Sequence, residues 1–207
     1  MLNNEIGNLF VIAAPSGTGK TTLVKALTET IAQLTVSISH TTRDKRPNEM
    51  NHQHYHFVTQ ETFKHMIEQN HFLEYATIFD HYYGTSKTWV NDRLAAGKDV
   101  ILEIDWQGHQ QIKQLMPHAI SIFILPPSLK DLEDRLSKRN QDRPEMVAKR
   151  LADAAEATQH AHTFDYLVIN DRFEQAVNDL THIILAGRLL QTHQQTHLAR
   201  LITAFSQ

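Results

Sequence analysis

Apolar and polar positions alternate along the chain in blocks that predict strands and helices in turn. The uniformly apolar run Leu9–Ala13 has the character of a strand buried on both faces. After it, apolar residues recur at intervals of three and four, which predicts a helix running to about residue 33. These residues are Leu23, Leu27, Ile31 and Leu34.

The same alternation returns in the second half of the chain. Apolar runs predict strands at 35–39, 99–105, 119–125 and 166–169. Helices are predicted at 89–96, 108–116, 144–161, from a capping box at Ser128 through Arg139, and from Phe173 onward. Strands that alternate with helices favour a mainly parallel sheet with helices on both faces, an α/β fold.

Between these two parts the chain is polar and rich in His, Asn and Thr. The alternation stops at about residue 39 and resumes after about residue 87, which predicts an inserted lobe. Within it, strands are expected at 55–58 and 72–79, with a helix at 60–69 capped by Thr59.

The turn after the first strand has the pattern of a phosphate-binding loop. Backbone N–H groups of such a loop surround a phosphate, and the following helix points its positive end at it. Lys20 would reach the terminal phosphates, and the Thr21 hydroxyl would ligate Mg²⁺. The alternative is a plain glycine-bearing turn, and Ala14 stands where glycine is usual. The predicted loop comprises Ala14, Pro15, Ser16, Gly17, Thr18, Gly19, Lys20, Thr21 and Thr22.

Composition narrows the class of protein. The 207 residues suit one domain, with 41% hydrophobic and 21% charged residues. A formal charge of −3 argues against a general nucleic-acid surface. We expect no membrane span and no secretory signal, because no apolar run is long enough and the first residues lack a basic flank. The chain has no cysteine, which suits a reducing compartment, and a cytoplasmic location is expected.

A second anion site is predicted in the inserted lobe. Arg43 and Arg46 lie three residues apart, and the hydroxyls of Tyr55 and Tyr83 are available nearby in sequence. Guanidinium groups bind phosphate with two parallel hydrogen bonds, and phenols donate without adding charge. A solvated basic loop is the alternative interpretation.

Six short segments resemble guanylate kinases in their order and spacing, and the resemblance extends from Leu9 to about Arg188. They are Ser-Ile-Ser-His-Thr-Thr-Arg (37–43), Arg-Pro-Asn-Glu (46–49), Phe-Leu-Glu-Tyr-Ala (72–76), Tyr-Tyr-Gly-Thr (82–85), Asp-Trp-Gln-Gly (105–108) and Val-Ile-Asn-Asp (168–171). The resemblance implies a P-loop NTPase-type sheet that carries an inserted monophosphate-binding lobe and a lid. It also implies transfer of the terminal phosphoryl group of ATP to GMP or dGMP, in purine nucleotide metabolism.

The resemblance also implies roles for individual residues in the GMP site. The GMP phosphate would be held by Arg43, Arg46, Tyr55 and Tyr83, and guanine would be recognised by Ser39, Glu74 and Thr85. Asp105 would lie near the guanine edge, with Glu49 and Glu103 in the same site. The chemistry supports Glu74, because guanine presents two neighbouring donors that one carboxylate can accept. Alternatively Glu74 is a surface acid, and Ser39 and Thr85 are turn hydroxyls.

For the transfer itself, the resemblance implies converging arginines. Arg135, Arg139 and Arg150 would surround the transferring group, with Lys20 and Arg43 as the other catalytic cations. Asn170 would lie near the adenine of ATP, or would instead cap the helix after it. The implied division is a core (about 1–38, 88–135 and 151–207), a GMP-binding lobe (about 39–87) and a lid (about 136–150).

Several positions depart from the family pattern. They are Asn48 and Asn140, where glycine is usual, Glu103, where aspartate is common, and Arg172, which replaces an acid. Glu103 would contact either guanine or the water shell of Mg²⁺. His52, His54 and His56 alternate and would share one face of a strand, as a metal cluster or as plain exposed imidazoles.

Two other functions stay open from the sequence. A non-catalytic scaffold domain of the same fold would bind peptides, but such domains tend to lose the loop lysine that is present here. A kinase for another monophosphate or a phosphorylated sugar is the nearer alternative. The expected partners are ATP and GMP. The polar helix after Arg188 would pack either on the core or on a second subunit of a homo-oligomer.

Overall fold

The computed structural model describes residues 6–138 and 144–205, so Arg139 and Asn140 lie outside the described residues. The strands are β1 (Leu9–Ala13), β2 (Leu34–Val36), β3 (His40–Thr41), β4 (His56–Phe57), β5 (Phe72–Ile78), β6 (His81–Ser86), β7 (Asp99–Glu103), β8 (Ile120–Leu125) and β9 (Tyr166–Ile169). The helices are α1 (Lys20–Thr30), α2 (Gln60–Glu68), α3 (Lys87–Ala95), α4 (Trp106–Leu115), α5 (Leu129–Lys138), α6 (Pro144–Gln159), α7 (Phe173–Gly187) and α8 (Gln191–Phe205), with a 3-10 turn at Ala161–Thr163.

The central sheet has the order β2-β7-β1-β8-β9, and all of its neighbouring strands are parallel. This confirms the predicted α/β fold with a mainly parallel sheet. Because parallel strands share a direction, the segments that follow β1, β7 and β9 lie at the same end of the sheet, beyond the carboxyl ends of the strands. The phosphate loop, Asp105 and Asn170 are therefore brought together by topology.

Two apolar layers cover the two faces of this sheet. On one face the sheet packs against α1 and α7, and on the other against α3 and α4. Alternate residues of β1 contribute to opposite layers, which explains why the whole strand is apolar. The first layer includes Phe10, Ile12, Leu27, Ile122, Leu180 and Ile184, and the second Val11, Val90, Leu102, Ile112 and Phe123.

A second, smaller sheet lies in the polar middle of the chain. Its order is β4-β3-β6-β5, with β6 antiparallel to both of its neighbours. The helix capped by Thr59 forms as predicted, since the Thr59 hydroxyl accepts a hydrogen bond from the N–H of Thr62 at 3.1 Å. β6 was not predicted, because its sequence His-Tyr-Tyr-Gly-Thr-Ser is polar and contains a glycine.

Several predicted boundaries were wrong, including those of α1, β2 and α4. Helix α1 ends at Thr30, because Ile31 is extended and Gln33 has a φ of 62°, so Leu34 opens a strand. Consequently β2 covers 34–36 rather than 35–39. Helix α4 begins at Trp106 rather than at residue 108, because the Asp105 side chain caps it.

The alternating histidines do not share a strand face. Of the three, only His56 lies in a strand, while His52 has a φ of 64° and His54 accepts a hydrogen bond from the N–H of Met50. Among the described residues, no group of three or more His, Cys, Asp or Glu side chains is arranged to hold a metal ion. Within 6–138 and 144–205, no helix has both the length and the apolar character needed to cross a bilayer.

Candidate active site

The phosphate loop forms the turn between β1 and α1. Gly17 and Gly19 have φ values of 93° and 90°, a region that residues with a side chain rarely occupy. The Thr18 hydroxyl donates to the carbonyl of Pro15 at 2.6 Å, which fixes the turn. Lys20 then opens α1, so the positive end of the helix dipole lies beside the loop.

Helix α5 packs on this loop from outside. A side chain added at Gly17 would lie 2.9 Å from Leu136 and 3.1 Å from Leu132, so glycine is required for the close approach as well as for the turn. Arg135, on the same helix, donates to the carbonyl of Asn170 at 3.0 Å. Arg135 is thereby held beside Asn170, and its role in binding ATP stays a prediction.

Asn170 is part of the loop's support. Its side-chain amide is buried and donates to the carbonyl of Thr18 at 2.6 Å. The alternative in which Asn170 caps the next helix is wrong, because α7 has Arg172 at its cap position. Its contact with adenine stays a prediction.

Lys20 points from the loop toward a group of carboxylates. Its Nζ donates to the carbonyl of Ile104 at 3.3 Å, directly after β7. Burial is the main influence on the pKa of the Lys20 ammonium, which it lowers. Three carboxylates oppose that effect, in decreasing order Glu103, Asp105 and Glu74.

Thr21 and Glu103 form a pair of oxygen donors beside Lys20. The Thr21 hydroxyl donates to Oε2 of Glu103 at 3.0 Å. Hydroxyl and carboxylate oxygens are the ligands and water-shell acceptors that Mg²⁺ prefers, and nucleotide phosphates complete such sites. The donor set therefore fits the predicted position of the metal.

Glu74 and Thr85 form a buried polar pair on neighbouring strands of the smaller sheet, and α4 packs against Glu74. Glu74 is 3% exposed, and the Thr85 hydroxyl donates to its Oε1 at 2.5 Å. Burial raises the pKa of the Glu74 carboxyl to about 7, while the hydrogen bond from Thr85 acts in the opposite direction. A carboxyl kept from water in this way gains strongly from a ligand that offers it hydrogen-bond donors.

Asp105 joins this pocket to the start of α4. Its carboxylate accepts hydrogen bonds from the backbone N–H of Gly108 at 2.9 Å and from the side chain of Gln107 at 3.2 Å. Burial raises the pKa of Asp105, and the backbone bond from Gly108 and the charge of Lys20 partly offset the rise. Gly108 allows a close approach, since a side chain there would lie 2.5 Å from Oε2 of Glu74.

Arg43 is oriented by Glu49 in the smaller sheet's loop. Its two terminal nitrogens donate to the two carboxylate oxygens of Glu49 at 3.0 and 2.7 Å. The same carboxylate accepts from the backbone N–H of Arg46 at 2.8 Å, and the Arg46 side chain is exposed. The bonds from Arg43 lower the pKa of the Glu49 carboxyl. The Glu49 carboxylate therefore contacts Arg43 rather than open solvent.

Tyr55 and Tyr83 lie beside Arg43, and these three residues form the arginine site. Their ring centroids are 6.0 Å apart, and the Arg43 guanidinium lies 5.4 Å from the centroid of Tyr55. Burial raises the pKa of Tyr55, and the charges of Tyr83 and Glu103 add to that rise. Glu103 thus acts electrostatically on Tyr55 and also bonds Thr21, which connects the arginine site to the phosphate loop.

The remaining predicted residues, Ser39, Arg150 and Arg139, belong to different parts of the chain. Ser39 is buried at the start of the smaller sheet, where its carbonyl accepts from the N–H of His56 at 2.9 Å. Arg150 lies in α6, which packs on α5 through an apolar cluster containing Leu136. Arg139 lies outside the described residues, so its role stays a prediction.

Three contributions to the site were not predicted: the carbonyl of Ile104, the bond from Asn170 to Thr18, and the close approach of Gly108 to Glu74. The first two depend on contacts between distant parts of the chain and leave no local pattern. The close approach at Gly108 could have been suspected from the sequence, because glycine in the first turn of a helix is unfavourable unless space or conformation requires it.

Comparison with known proteins identifies the family. A family model described as guanylate kinase matches residues 6–187. The guanylate kinase of Coxiella burnetii is 52% identical over 195 residues, covering 94% of this chain and 95% of the relative. That of Acinetobacter baylyi is 50% identical over 196 residues, covering 95% of each. The crystal structure of guanylate kinase from Anaplasma phagocytophilum has a TM-score of 0.75 at 28% identity, covering 90% of this chain and 89% of that one. The chain therefore belongs to the guanylate kinase family.

Proposed function

We propose that this chain transfers the terminal phosphoryl group of ATP to GMP, and to dGMP, giving ADP and GDP. The observation that carries the proposal is the position of Glu74. This buried carboxylate, bonded to Thr85, acts electrostatically on the phosphate-loop lysine, Lys20. A group suited to guanine thus shares one cleft with a group suited to the phosphates of ATP.

Glu74 accounts for selection of guanine. The N1–H and 2-amino donors of guanine lie side by side, so one carboxylate can accept both. Adenine lacks both donors on that edge, and binding it would leave the carboxylate buried without a donor from the ligand. The discrimination expected from one such unpaired group is about 1–3 kcal/mol or more for a charged group.

Arg43 and the two tyrosines account for selection of a monophosphate. The Arg43 guanidinium is already fixed by Glu49, so little side-chain entropy is lost when the GMP phosphate binds. Tyr55 and Tyr83 donate hydrogen bonds to the same phosphate. Arg46, exposed in the free protein, turns in to add a second positive charge.

The transfer step requires alignment and charge neutralisation rather than a protein base. Lys20 follows the negative charge of the terminal phosphoryl group, and Arg135 of α5 and Arg150 of α6 approach it. Arg139 is the third arginine that the resemblance implies for this step. The Thr21 hydroxyl, supported by Glu103, would hold Mg²⁺ together with the nucleotide phosphates. When bound, Mg²⁺ would supply positive charge that offsets the negative charge of the ATP phosphates.

We further propose a division into a core, a GMP-binding lobe at about 39–87 and a lid at about 136–150. The lobe and lid close on the core when both nucleotides bind, which excludes water and brings the arginines together. The absence of cysteine suits a reducing compartment, so the proposed location is the cytoplasm.

A nucleotide panel tests the proposal. GMP, dGMP, AMP, UMP and CMP are each assayed with ATP and Mg²⁺, and GMP should give the highest kcat/KM, followed by dGMP. Glu74→Ala should lower kcat/KM for GMP far more than it changes the KM for ATP. Glu61→Ala, at an exposed position of α2 in the same lobe, is the matched control. Equal activity on AMP, or equal effects of Glu74→Ala on both nucleotides, would contradict the proposed role.

A further inference from the structure

Strand β9 ends the central sheet with an exposed apolar edge. Among the described residues it has β8 on one side and no strand on the other. Leu167 and Ile169 are 55% and 57% exposed, and Tyr166 is 41% exposed. Edge strands of monomeric proteins are usually protected by charged residues or proline, because free edges pair with other strands. The sequence Tyr-Leu-Val-Ile of β9 contains neither.

The pairing with β8 determines which backbone groups point outward. Leu125 pairs with Ile169 in parallel register, and the Leu125 carbonyl accepts from the N–H of Asn170 at 2.8 Å. Backbone groups of successive strand residues point to opposite sides, so Val168 and Asn170 face β8. Leu167 and Ile169 therefore turn their N–H and C=O groups toward the free edge. These are also the residues of β9 with the most exposed side chains.

We propose that β9 forms the interface of a symmetric dimer of this chain, with the two β9 strands paired antiparallel about a two-fold axis through Val168. In this register Leu167 lies opposite the partner's Ile169, and the two residues exchange both backbone hydrogen bonds. All outward N–H and C=O groups of the two residues are then satisfied in both copies. The paired apolar side chains lie on one face of a continuous ten-stranded sheet, made of the five strands from each copy.

Charge complementarity supports a second copy as the occupant. The groove beside β9 is lined by α7, with Asp171 and Arg172 at one end and Asp179 and His182 toward the other. Because α7 runs back along β9, the two-fold axis places opposite ends of the two grooves together. Arg172 then lies near the partner's Asp179, and Asp171 lies near the partner's His182. The opposite charges of Arg172 and the partner's Asp179 favour this arrangement over a shifted one.

The first test is the oligomeric state of the full chain, measured by sedimentation over a wide concentration range. The wild type should dimerise, and Leu167→Lys should raise the dimer Kd by at least about tenfold. Leu115→Lys changes an equally exposed leucine on α4, 64% exposed, and should leave the dimer intact. A wild type that is monomeric at every concentration overturns the proposal. A dimer broken by Phe205→Lys in α8 but not by Leu167→Lys also overturns it.

Amide hydrogen exchange tests the backbone bonds directly. The amides of Leu167 and Ile169 should exchange quickly in dilute protein and become protected as concentration rises. The Val168 amide, which bonds to β8 in either state, should be protected at all concentrations and serves as the internal reference. Rapid exchange of Leu167 and Ile169 under conditions where the protein is dimeric would place the interface elsewhere.

The register is tested by cross-linking, because the chain has no cysteine of its own. Directly opposite residues have Cα atoms about 5.5 Å apart, within reach of a disulfide, whereas diagonal neighbours are about 7 Å or more apart. Mixed Leu167→Cys and Ile169→Cys proteins should therefore form a covalent dimer on mild oxidation, and either variant alone should form it at least several times more slowly. Equal rates in the mixture and in the separate variants would exclude this register.

Discussion

Gly108→Ala tests how the guanine pocket is built. Gly108 lies in the first turn of α4, where an added Cβ would lie 2.5 Å from Oε2 and 3.2 Å from Cδ of Glu74. Ordinary carbon contacts begin at about 3.5 Å, so the carboxylate must move by roughly 1 Å. Thr85 holds the other carboxylate oxygen at 2.5 Å, and Glu74 is almost fully buried, so little room exists for that movement.

The expected effect is specific to GMP. Displacing Glu74 weakens its bond to Thr85 and its proposed bonds to guanine, and a hydrogen bond to a charged group contributes about 1.5–3 kcal/mol. Loss of one such bond corresponds to roughly a 10- to 150-fold fall in kcat/KM for GMP. Alanine is also the better helix former by about 1 kcal/mol, so global stability should not fall by a comparable amount.

Steady-state titration of each nucleotide at saturating concentrations of the other measures this effect. The KM for ATP should change less than twofold in Gly108→Ala, and the urea midpoint should stay close to that of the wild type. Gln110→Ala, at an exposed position of the same helix, controls for a general change in α4. Glu74→Asp in the Gly108→Ala background withdraws the carboxylate by one methylene, and part of the lost GMP affinity should return.

An unchanged kcat/KM for GMP in a folded Gly108→Ala protein would refute this account of the pocket. An equal loss for ATP and GMP would refute it as well, because it would indicate damage to the core rather than displacement of Glu74.

Three further results are expected. Lys20→Ala should lower turnover by about 1,000-fold or more, while calorimetry at pH 8 should find GMP binding changed only severalfold, because the proposed contact of Lys20 is with the transferring phosphoryl group. The Glu74 carboxyl has a pKa of about 7, and its proposed role requires it to be ionised so that it can accept hydrogen bonds from guanine. The kcat/KM for GMP should therefore fall as pH drops below about 7. A pH profile without that fall would contradict the proposed role. Burial lowers the pKa of His109, stacked on Phe164, to about 4, so the unfolded chain takes up a proton below pH 6.5 that the folded chain does not. The free energy of unfolding should therefore decrease between pH 6.5 and 4, by up to roughly 3 kcal/mol, and His109→Phe should remove that part of the decrease in urea titrations.

The sequence by itself determined the elements whose signals are local. Leu9–Ala13 is apolar at every position because both of its faces are covered, and the glycines after it permit the turn that precedes Lys20. These patterns depend only on neighbouring residues, so strand, loop and helix were predictable together. The alternation of such units was enough to predict the parallel sheet, because parallel strands need a crossover between them.

The tertiary structure alone decided how the pocket side chains are used. Glu49 was expected in the GMP site without a stated partner, and the structure shows it bonded to both terminal nitrogens of Arg43. Strand β6 contains the strand-favouring Tyr82, Tyr83 and Thr85 but has no apolar run, and it is held by pairing with β5 and β3 on both sides. Glu74 and Gly108 are 34 positions apart and meet only because α4 returns against the smaller sheet. Contacts of this kind arise when distant segments bury each other's polar groups, and such burial leaves no periodic pattern in the sequence.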